Sequence, residues 1–308
     1  MRKWFLLFAA SIDSMLTVAA CGARSGLRVD EVVADAGPDV DVEDAPDAPM
    51  LPDVVVPDCV GAGITYIYLI SSQNELIRFY PPDLSIATIG TISCPTSTPS
   101  TPFSMAVDRK GIAYVLFLSG ELFRVSTLTA LCTPTSYISN ADLFPTAFGM
   151  GFSANKTDQG ETLFIAGTTS PGAGTPGRLG VINTENFAVS VGAELSQDIG
   201  DPELTGTGDS RLFGFAPSNP FSPHFAEIDK ATSTVLSDKI LDLQLNAIAG
   251  WAFAAWGGDF YIFTAEQSAG PASIHRYTPG GPLSPPLVKQ LDGLNIVGAG
   301  VSTCAPSE

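Results

Sequence analysis

The stretch FSMAVDRKGIAYVLFLSGELFRV, residues 103–125, contains three short apolar runs separated by turn residues, and its pattern returns along the chain. Small residues recur in the first run and in its counterparts, which are FSMAVD from Phe103, FGMGFS from Phe148, LTGTGD from Leu204, WAFAAW from Trp251 and VGAGVS from Val297. Successive copies are 45, 56, 47 and 46 residues apart. Self-similarity at such a period is typical of an array of repeated structural units.

A second and a third apolar run follow the first run in four of the copies. The second runs are AYVLF (113–117), TLFIA (162–166), LFGF (212–215) and FYIF (260–263). The third runs are LFRV (122–125), LGVI (179–182), AEID (226–229) and IHRY (274–277). A weaker fourth run completes each unit, as in FAVSV (187–191) and PLVKQL (286–291). Short apolar runs bounded by turn residues predict four strands in each repeat.

The two ends of the repeated region are incomplete, and they complement one another. TYIYLI (65–70), LIRF (76–79) and SIATI (85–89) supply second, third and fourth strands with no first strand before them. The copy at Val297 is a first strand with no chain left for a second. We therefore predict an all-β fold, a five-bladed β-propeller closed by pairing of its N- and C-terminal strands. A β-sandwich is the alternative, but five-fold spacing has no natural place in it.

Small side chains in the first strands agree with a ring of blades. First strands converge on the central axis of a propeller, where there is little room for side chains. The small residues predicted to lie there are Ala106, Gly149, Gly151, Ala252, Ala254, Gly298 and Gly300.

MAVDRKGIAYVLFLSGELFRV, residues 105–125, resembles a blade of NHL-type propellers. The resemblance implies that Asp108 and Gly111 form the first turn of the blade and Gly120 the second. The blocks FSMAVDRKG, ELTGTGD, WGGDFY and IVGAGVSTC also resemble a group of uncharacterised exported lipoproteins. That second resemblance implies a location and no activity.

The N-terminus has the features of a secretory signal. Arg2 and Lys3 precede apolar stretches that lead to VAAC, residues 18–21, which resembles the lipobox of bacterial lipoproteins. We expect residues 1–20 to be a lipoprotein signal peptide and Cys21 to carry the lipid that anchors the protein to a membrane. The alternative is an ordinary cleaved signal that leaves Cys21 as a free thiol. Gly22 after the cysteine favours, by family resemblance, the outer membrane, on its periplasmic or its surface face.

An acidic segment separates this signal from the repeats. Ten acids and no base lie between Val29 and Asp58, together with five prolines, so much of the formal charge of -17 is here. We expect residues 21–60 to be a disordered linker and residues 61–305 to form the propeller. Alternating carboxylates at residues 39–44 could bind Ca²⁺, but the glycine turn and the closing Glu of an EF-hand loop are missing. The mildly acidic propeller has no basic patch, which argues against nucleic-acid binding.

Four cysteines remain if Cys21 carries lipid. An oxidising compartment favours two disulfides. Aligning the copies places Cys304 just beyond the first strand that closes the ring, and Cys59 lies shortly before the strand at Thr65 that would pair with it. We therefore expect Cys59 to pair with Cys304, and Cys94 with Cys132. Zinc is the other use of four cysteines, but no C-x-x-C pair is present.

The sequence carries no recognisable catalytic motif, and its two histidines, His224 and His275, fall in third strands of different blades. They could line a pocket, as could the aromatic group that contains Trp251, Trp256, Phe260 and Tyr261, which could stack on a sugar or a peptide. The turn acids Asp108, Asp158, Asp209 and Asp259 could converge on a cation, although Asp in a tight turn usually caps its own backbone.

We therefore predict a monomeric, non-enzymatic binding scaffold of the cell envelope that needs no cofactor. Its partners would be a membrane, through the lipid anchor, and an envelope protein or glycan. Two alternatives remain open. One is a metal-dependent hydrolase or lactonase, which would need bound Ca²⁺ or Zn²⁺. The other is a structural surface lipoprotein without a specific ligand.

Overall fold

The computed structural model describes residue 59 and residues 66–168, 175–218, 222–243, 245, 248–266 and 271–307. The signal segment, Cys21 and the acidic linker predicted above lie outside these residues. Twenty β-strands form five antiparallel four-stranded sheets, each a blade of a five-bladed β-propeller. Within the described residues, no helix has the length and hydrophobicity needed to cross a bilayer.

The strands are numbered in chain order, and the first strand named in each blade is the innermost. Blade 1 contains β20 (Ile296–Val301), β1 (Ile67–Ser71), β2 (Glu75–Tyr80) and β3 (Ser85–Thr91). Blade 2 contains β4 (Pro102–Val107), β5 (Ile112–Phe117), β6 (Leu122–Ser126) and β7 (Cys132–Pro134). Blade 3 contains β8 (Gly149–Ala154), β9 (Glu161–Gly167), β10 (Arg178–Ile182) and β11 (Val189–Glu194). Blade 4 contains β12 (Glu203–Gly206), β13 (Leu212–Ser218), β14 (Ser222–Asp229) and β15 (Thr234–Ile240). Blade 5 contains β16 (Ile248–Trp256), β17 (Asp259–Glu266), β18 (Ala272–Tyr277) and β19 (Leu287–Leu291).

Blade 1 is built from both ends of the propeller sequence. The last strand, β20, pairs antiparallel with β1, the first strand, in a register that places Ile67 opposite Val301 and Ile70 opposite Gly298. This pairing confirms the predicted closure. Because β20 hydrogen-bonds to β1, the strand β1 has no free edge and the two ends of the propeller sequence are joined in one sheet.

The five innermost strands contact one another in a closed ring, in the order β20, β4, β8, β12, β16 and back to β20. Backbones approach closely there. A Cβ atom added at Gly149 would lie 2.1 Å from the carbonyl oxygen of Pro202, and one added at Gly300 would lie 3.0 Å from the backbone nitrogen of Val107. The small residues of the repeat are therefore a packing requirement of the axis, as predicted.

The hydrophobic core is divided into five clusters, one at each interface between neighbouring blades. The interface of blades 4 and 5 is mainly aromatic. Phe225 lies 4.7 Å from Phe260 and 4.8 Å from Tyr277, measured between ring centroids and with the rings in edge-to-face geometry. Burial of such rings on both faces of each sheet explains why the strands show little alternation of polar and apolar residues.

Two disulfides join Cys59 to Cys304 and Cys94 to Cys132, with Cα–Cα distances of 5.4 and 5.2 Å. Both predicted pairings are confirmed. The first bond spans 245 residues and adds a covalent link next to the hydrogen-bonded closure of blade 1. The second joins blade 1 to the outermost strand of blade 2.

Candidate functional site

The ring has two ends that differ in what they display. The inner strands begin at one end, which we call the mouth, at Pro102, Gly149, Glu203, Ile248 and Ile296. They end at the other, which we call the turn end, where each first turn leads to the second strand of its blade. Any polar side chain at the start of an inner strand therefore lies at the mouth, near the axis.

A cavity of about 320 Å³ opens at the mouth. Blades 1, 2, 4 and 5 contribute to its wall, with Phe103 and Leu118 from blade 2 and Trp251 from blade 5. Its polar lining residues are Ser72, Thr101, Glu203, Trp251 and Asn295. This volume is at the lower end of the range for small-molecule sites, which begins at about 300 Å³.

Glu203 is the ionisable residue in this wall, and its side chain is buried. The hydroxyl of Ser104 donates a hydrogen bond to Oε2 of Glu203 over 2.7 Å, and the backbone N–H of Met150 donates to the same hydroxyl oxygen over 3.2 Å. Burial raises the pKa of Glu203 to about 8, against the opposing effect of the hydrogen bonds from Ser104 and Met150. At pH 7 the carboxyl is therefore mostly protonated, and it presents a neutral hydrogen-bonding group at the axis.

Two other residues of the wall carry buried polar atoms that have no hydrogen-bond partner among the described residues. They are Nε1 of Trp251, a donor, and Oδ1 of Asn295, an acceptor. Leaving such an atom unpaired costs about 1–3 kcal/mol, so unpaired atoms beside a cavity need an explanation. Each of the two atoms has almost no accessible surface, so a ligand in the cavity reaches neither of them unless the side chains move.

A second, larger cleft of about 590 Å³ lies between blades 2 and 3 and reaches the turn end. Its buried acids are already engaged by the protein. Both oxygens of Glu161 accept hydrogen bonds, one from the backbone N–H of Arg109 and one from the hydroxyl of Thr303, each over 2.7 Å. Burial raises the pKa of Glu161 to about 7, and the nearby Asp108 adds to the rise. These bonds tie the C-terminal segment to blades 2 and 3, which is a structural role.

Arg124 lies in the same cleft, and aromatic rings hold it in place. Its guanidinium carbon lies 5.0 Å from the ring centroid of Phe187 and 5.7 Å from that of Tyr114, and it donates a hydrogen bond to the carbonyl of Thr184. Its Nε is buried without a partner in the described part of the chain. A third cavity, of about 60 Å³, lies between the first turns of blades 4 and 5 and includes Trp256.

The predicted aromatic group is divided by the structure. Trp251 lies near the start of β16 and faces the mouth, whereas Trp256 ends the same strand at the turn end, about 16 Å away at 3.3 Å per residue. Tyr261 and Phe260 are buried, and Tyr261 packs edge-to-face on Phe79 with ring centroids 5.5 Å apart. Of these residues, Trp251 alone lines the mouth cavity.

The two histidines line none of the three cavities described above. Nδ1 of His224 lies 2.8 Å from Oδ2 of Asp238, on the outer strands of blade 4. His275 lies in β18 of blade 5, where burial lowers its pKa and its Nδ1 has no partner among the described residues. The structure does not bring the two rings together.

The turn acids bond within their own blades. Oδ1 of Asp108 accepts hydrogen bonds from the backbone N–H groups of Lys110 and Ile112, as expected for a capping residue. Asp158 accepts one from the backbone N–H of Gly160, and Asp259 accepts one from the hydroxyl of Thr278. In the described residues, no group of three His, Cys, Asp or Glu side chains could hold a metal ion.

Sequence reasoning missed Glu203, Ser104 and Asn295. One signal could have indicated Glu203. In the aligned copies, the residues immediately before the first apolar runs are Pro102, Ala147, Glu203, Gly250 and Ile296, so a single carboxyl occupies a position that is otherwise small or apolar. A carboxyl predicted to lie next to the axis is a candidate for a perturbed pKa and hence for a functional site.

No protein-family model matches the chain, and no curated protein matches it. Several solved structures are similar. One is a Bacteroides ovatus protein described as xyloglucan PUL GH43B, with 19% identity and a TM-score of 0.44 over 61% of this chain and 40% of that chain. Another is an exo-1,5-alpha-L-arabinanase from a bovine ruminal metagenomic library, with 13% identity and a TM-score of 0.40 over 66% and 83% of the two chains.

A third similar structure is the hydrazine synthase of Kuenenia stuttgartiensis, with 12% identity and a TM-score of 0.38 over 70% of this chain and 63% of that chain. The chain thus spans less than two thirds of the length of the Bacteroides and Kuenenia proteins. At identities of 12 to 19%, none of the three structures indicates what this chain does.

Proposed function

We propose that this protein is a lipid-anchored binding protein of the bacterial cell envelope, and that its propeller takes up a ligand in the mouth cavity. The observation that carries the binding function is the wall of that cavity. It combines the buried neutral carboxyl of Glu203 with the hydroxyl groups of Ser72 and Thr101 and the rings of Phe103 and Trp251. A concave site with a few convergent polar groups is the usual form of a small-ligand site.

The hydrogen bonds already made by the buried acidic residues favour binding over catalysis. Glu203 is hydrogen-bonded by Ser104, while Glu161 and Asp108 are occupied by bonds that hold the C-terminal segment and a turn. Glycoside hydrolysis by a pair of carboxyl groups needs both of them to reach one substrate. The mouth cavity offers one such group among the described residues that line it.

The anchor and the location rest on the sequence. The basic start, the VAAC motif that ends at Cys21 and the acidic segment after it support export, lipidation and a linker that holds the propeller away from the membrane. The proposal places the protein in the outer membrane as a monomer with no nucleic-acid partner. The blade resemblance of residues 105–125 supports an NHL-type classification of the propeller.

The anchor is tested by metabolic labelling with an alkyne fatty acid, followed by separation of membranes from soluble material. The unchanged protein should be labelled and should sediment with membranes. Cys21→Ser should lose both the label and the membrane association, whereas Cys94→Ser, which removes a cysteine of the propeller, should keep both. A labelled Cys21→Ser protein would contradict the lipidation site.

The binding function is tested by thermal unfolding in the presence of fractionated envelope material, with glycan, peptide and lipid fractions assayed separately. One fraction should raise the melting temperature, because a ligand that binds only the folded state stabilises it. Trp251→Phe replaces the indole of the cavity wall by a smaller ring, and it should reduce the shift. Trp256→Phe at the turn end is the matched control and should leave it unchanged.

The alternatives give different results in the same experiment. If no fraction shifts the melting temperature, the binding function is wrong and a structural surface role is favoured. If bound Ca²⁺ or Zn²⁺ is found by elemental analysis and its removal abolishes the shift, the metal-dependent alternative replaces the present proposal.

A further inference from the structure

We propose that the ligand of the mouth cavity is an uncharged polyhydroxylated ring, such as one sugar unit of an envelope glycan. The inference rests on the proposed binding function and assigns a ligand class to that site. It is carried by the polar groups that line the cavity, the charges that are missing from its described wall, and its size.

The charges on the described wall of the cavity argue against an ionic ligand. Among the described residues, the lining of the cavity contains no Lys, Arg or His, so the side chains that neutralise a carboxylate or a phosphate are absent from it. Glu203 is its one acidic residue, and burial keeps that carboxyl mostly neutral at pH 7. A cationic ligand would therefore find no full negative charge to pair with.

Polarity excludes a purely apolar ligand. Such a ligand would cover the hydroxyl groups of Ser72 and Thr101 and the carboxyl of Glu203 without offering them hydrogen bonds. Each unpaired buried group weakens binding substantially, so the site fits a ligand that offers hydrogen bonds without charge.

Hydroxyl groups suit this wall better than fixed donors or acceptors. The wall contains groups that can both donate and accept, on Ser72, Thr101 and protonated Glu203. A hydroxyl can donate and accept, so a polyhydroxylated ring satisfies each of them. The rings of Phe103 and Trp251 supply apolar surface for the C–H faces of a sugar, and about 320 Å³ has room for one or two such units.

Protonation of Glu203 predicts how the affinity for the ligand depends on pH. A hydrogen bond from the neutral carboxyl to a ligand hydroxyl is lost when the carboxyl ionises, so affinity should fall as the pH rises through about 8. At one pH unit above that value about one tenth of the protein retains the proton, which predicts a loss of about tenfold. A cationic ligand would show the opposite trend.

The experiment uses tryptophan fluorescence as a local signal. The chain has three tryptophans, and Trp4 lies in the signal peptide proposed above, so the mature protein carrying Trp256→Phe reports only from Trp251 at the mouth. The probes are glucose, galactose, mannose and N-acetylglucosamine, with glucosamine and glucuronate as charged counterparts, each at concentrations up to tens of millimolar. At least one neutral sugar should change the emission, and the two charged sugars should be weaker.

The pH profile is measured with the neutral sugar that binds best. Between pH 7 and pH 9 its affinity should fall about tenfold in this parent protein. It should stay constant in the same protein with Glu203→Gln, because glutamine keeps a neutral donor and acceptor at all pH values. Retained binding by Glu203→Gln also shows that this variant is folded.

Each outcome separates the ligand class from the binding function. If glucosamine or glucuronate binds and the neutral sugars do not, the ligand class is wrong while the binding function stands. If a peptide fraction alone stabilises the protein in the thermal assay, the partner is a peptide and the sugar proposal is wrong. If no neutral sugar changes the emission of Trp251, the proposal is also overturned, whatever the thermal assay shows.

Discussion

Replacement of Glu203 by glutamine should change how the stability of the propeller depends on pH. The pKa of a glutamate in the unfolded chain is near 4.5, and burial raises that of Glu203 to about 8 in the folded protein. Between these two pH values the folded protein holds a proton that the unfolded chain has released. The contribution of Glu203 to the free energy of unfolding is therefore most favourable below pH 4.5 and falls as the pH rises towards 8.

The magnitude follows from the size of the pKa difference. One group contributes a slope of about 1.4 kcal/mol per pH unit, so Glu203 accounts for on the order of 5 kcal/mol between the two limits. Glu161, whose pKa is raised to about 7, adds a similar slope of the same sign up to that pH. Glu203→Gln removes the first contribution, because its side chain is neutral in both states. At pH 8 the variant should be more stable than the parent by about 4 kcal/mol.

Urea unfolding monitored by circular dichroism, repeated at half-unit steps from pH 4.5 to 8.5, measures this slope. Glu185→Gln is the matched control, since Glu185 is exposed and the same charge is removed. The control should keep the parent's pH dependence. If Glu203→Gln and the parent show the same slope, Glu203 does not have a raised pKa in the folded protein. The predicted pH dependence of ligand binding is then wrong as well.

Three further predictions concern the ring. Replacing Cys59 and Cys304 together by serine should lower the free energy of unfolding by about 5 kcal/mol on the chain-entropy model, with the β-rich circular dichroism spectrum retained; an unchanged urea midpoint would show that the bond does not hold the closure. Gly149→Ala should destabilise the protein by about 3 kcal/mol or more, because the added methyl group meets backbone at the axis; a variant as stable as the parent in urea would contradict that packing. Glu161→Gln should flatten the pH dependence of stability between pH 4.5 and 7 and leave it unchanged above pH 7, as measured by the same urea series.

The sequence allowed the ring to be predicted because the constraint that forms it is local and repeated. Each inner strand needs small residues where backbones meet, and this need recurs with every blade, as at Gly149 and Gly300. The closure could also be inferred, since an orphan first strand at one end matched a missing first strand at the other. The position of Cys304 relative to that closure then indicated its partner.

The site could not be predicted in the same way, because its residues meet only after the ring has closed. Ser104 and Glu203 are 99 residues apart and belong to blades 2 and 4, so nothing in their spacing indicates that they bond. Trp251 and Trp256 look equivalent along the chain, yet five residues of extended strand place them at opposite ends of the axis. Burial and pKa depend on neighbours from other blades, which a single repeat does not reveal.

Whether the ligand enters at the mouth is tested most directly by site-specific photo-crosslinking in living cells. A photoreactive phenylalanine analogue is placed at Leu118, which is 54% exposed and lines the cavity, or at Leu128, which is 78% exposed and follows the third strand of blade 2 at the turn end. A discrete adduct should form from position 118, and it should weaken when Trp251→Phe is added. An adduct from position 128 alone, or one from position 118 that does not respond to Trp251→Phe, would contradict binding at the mouth.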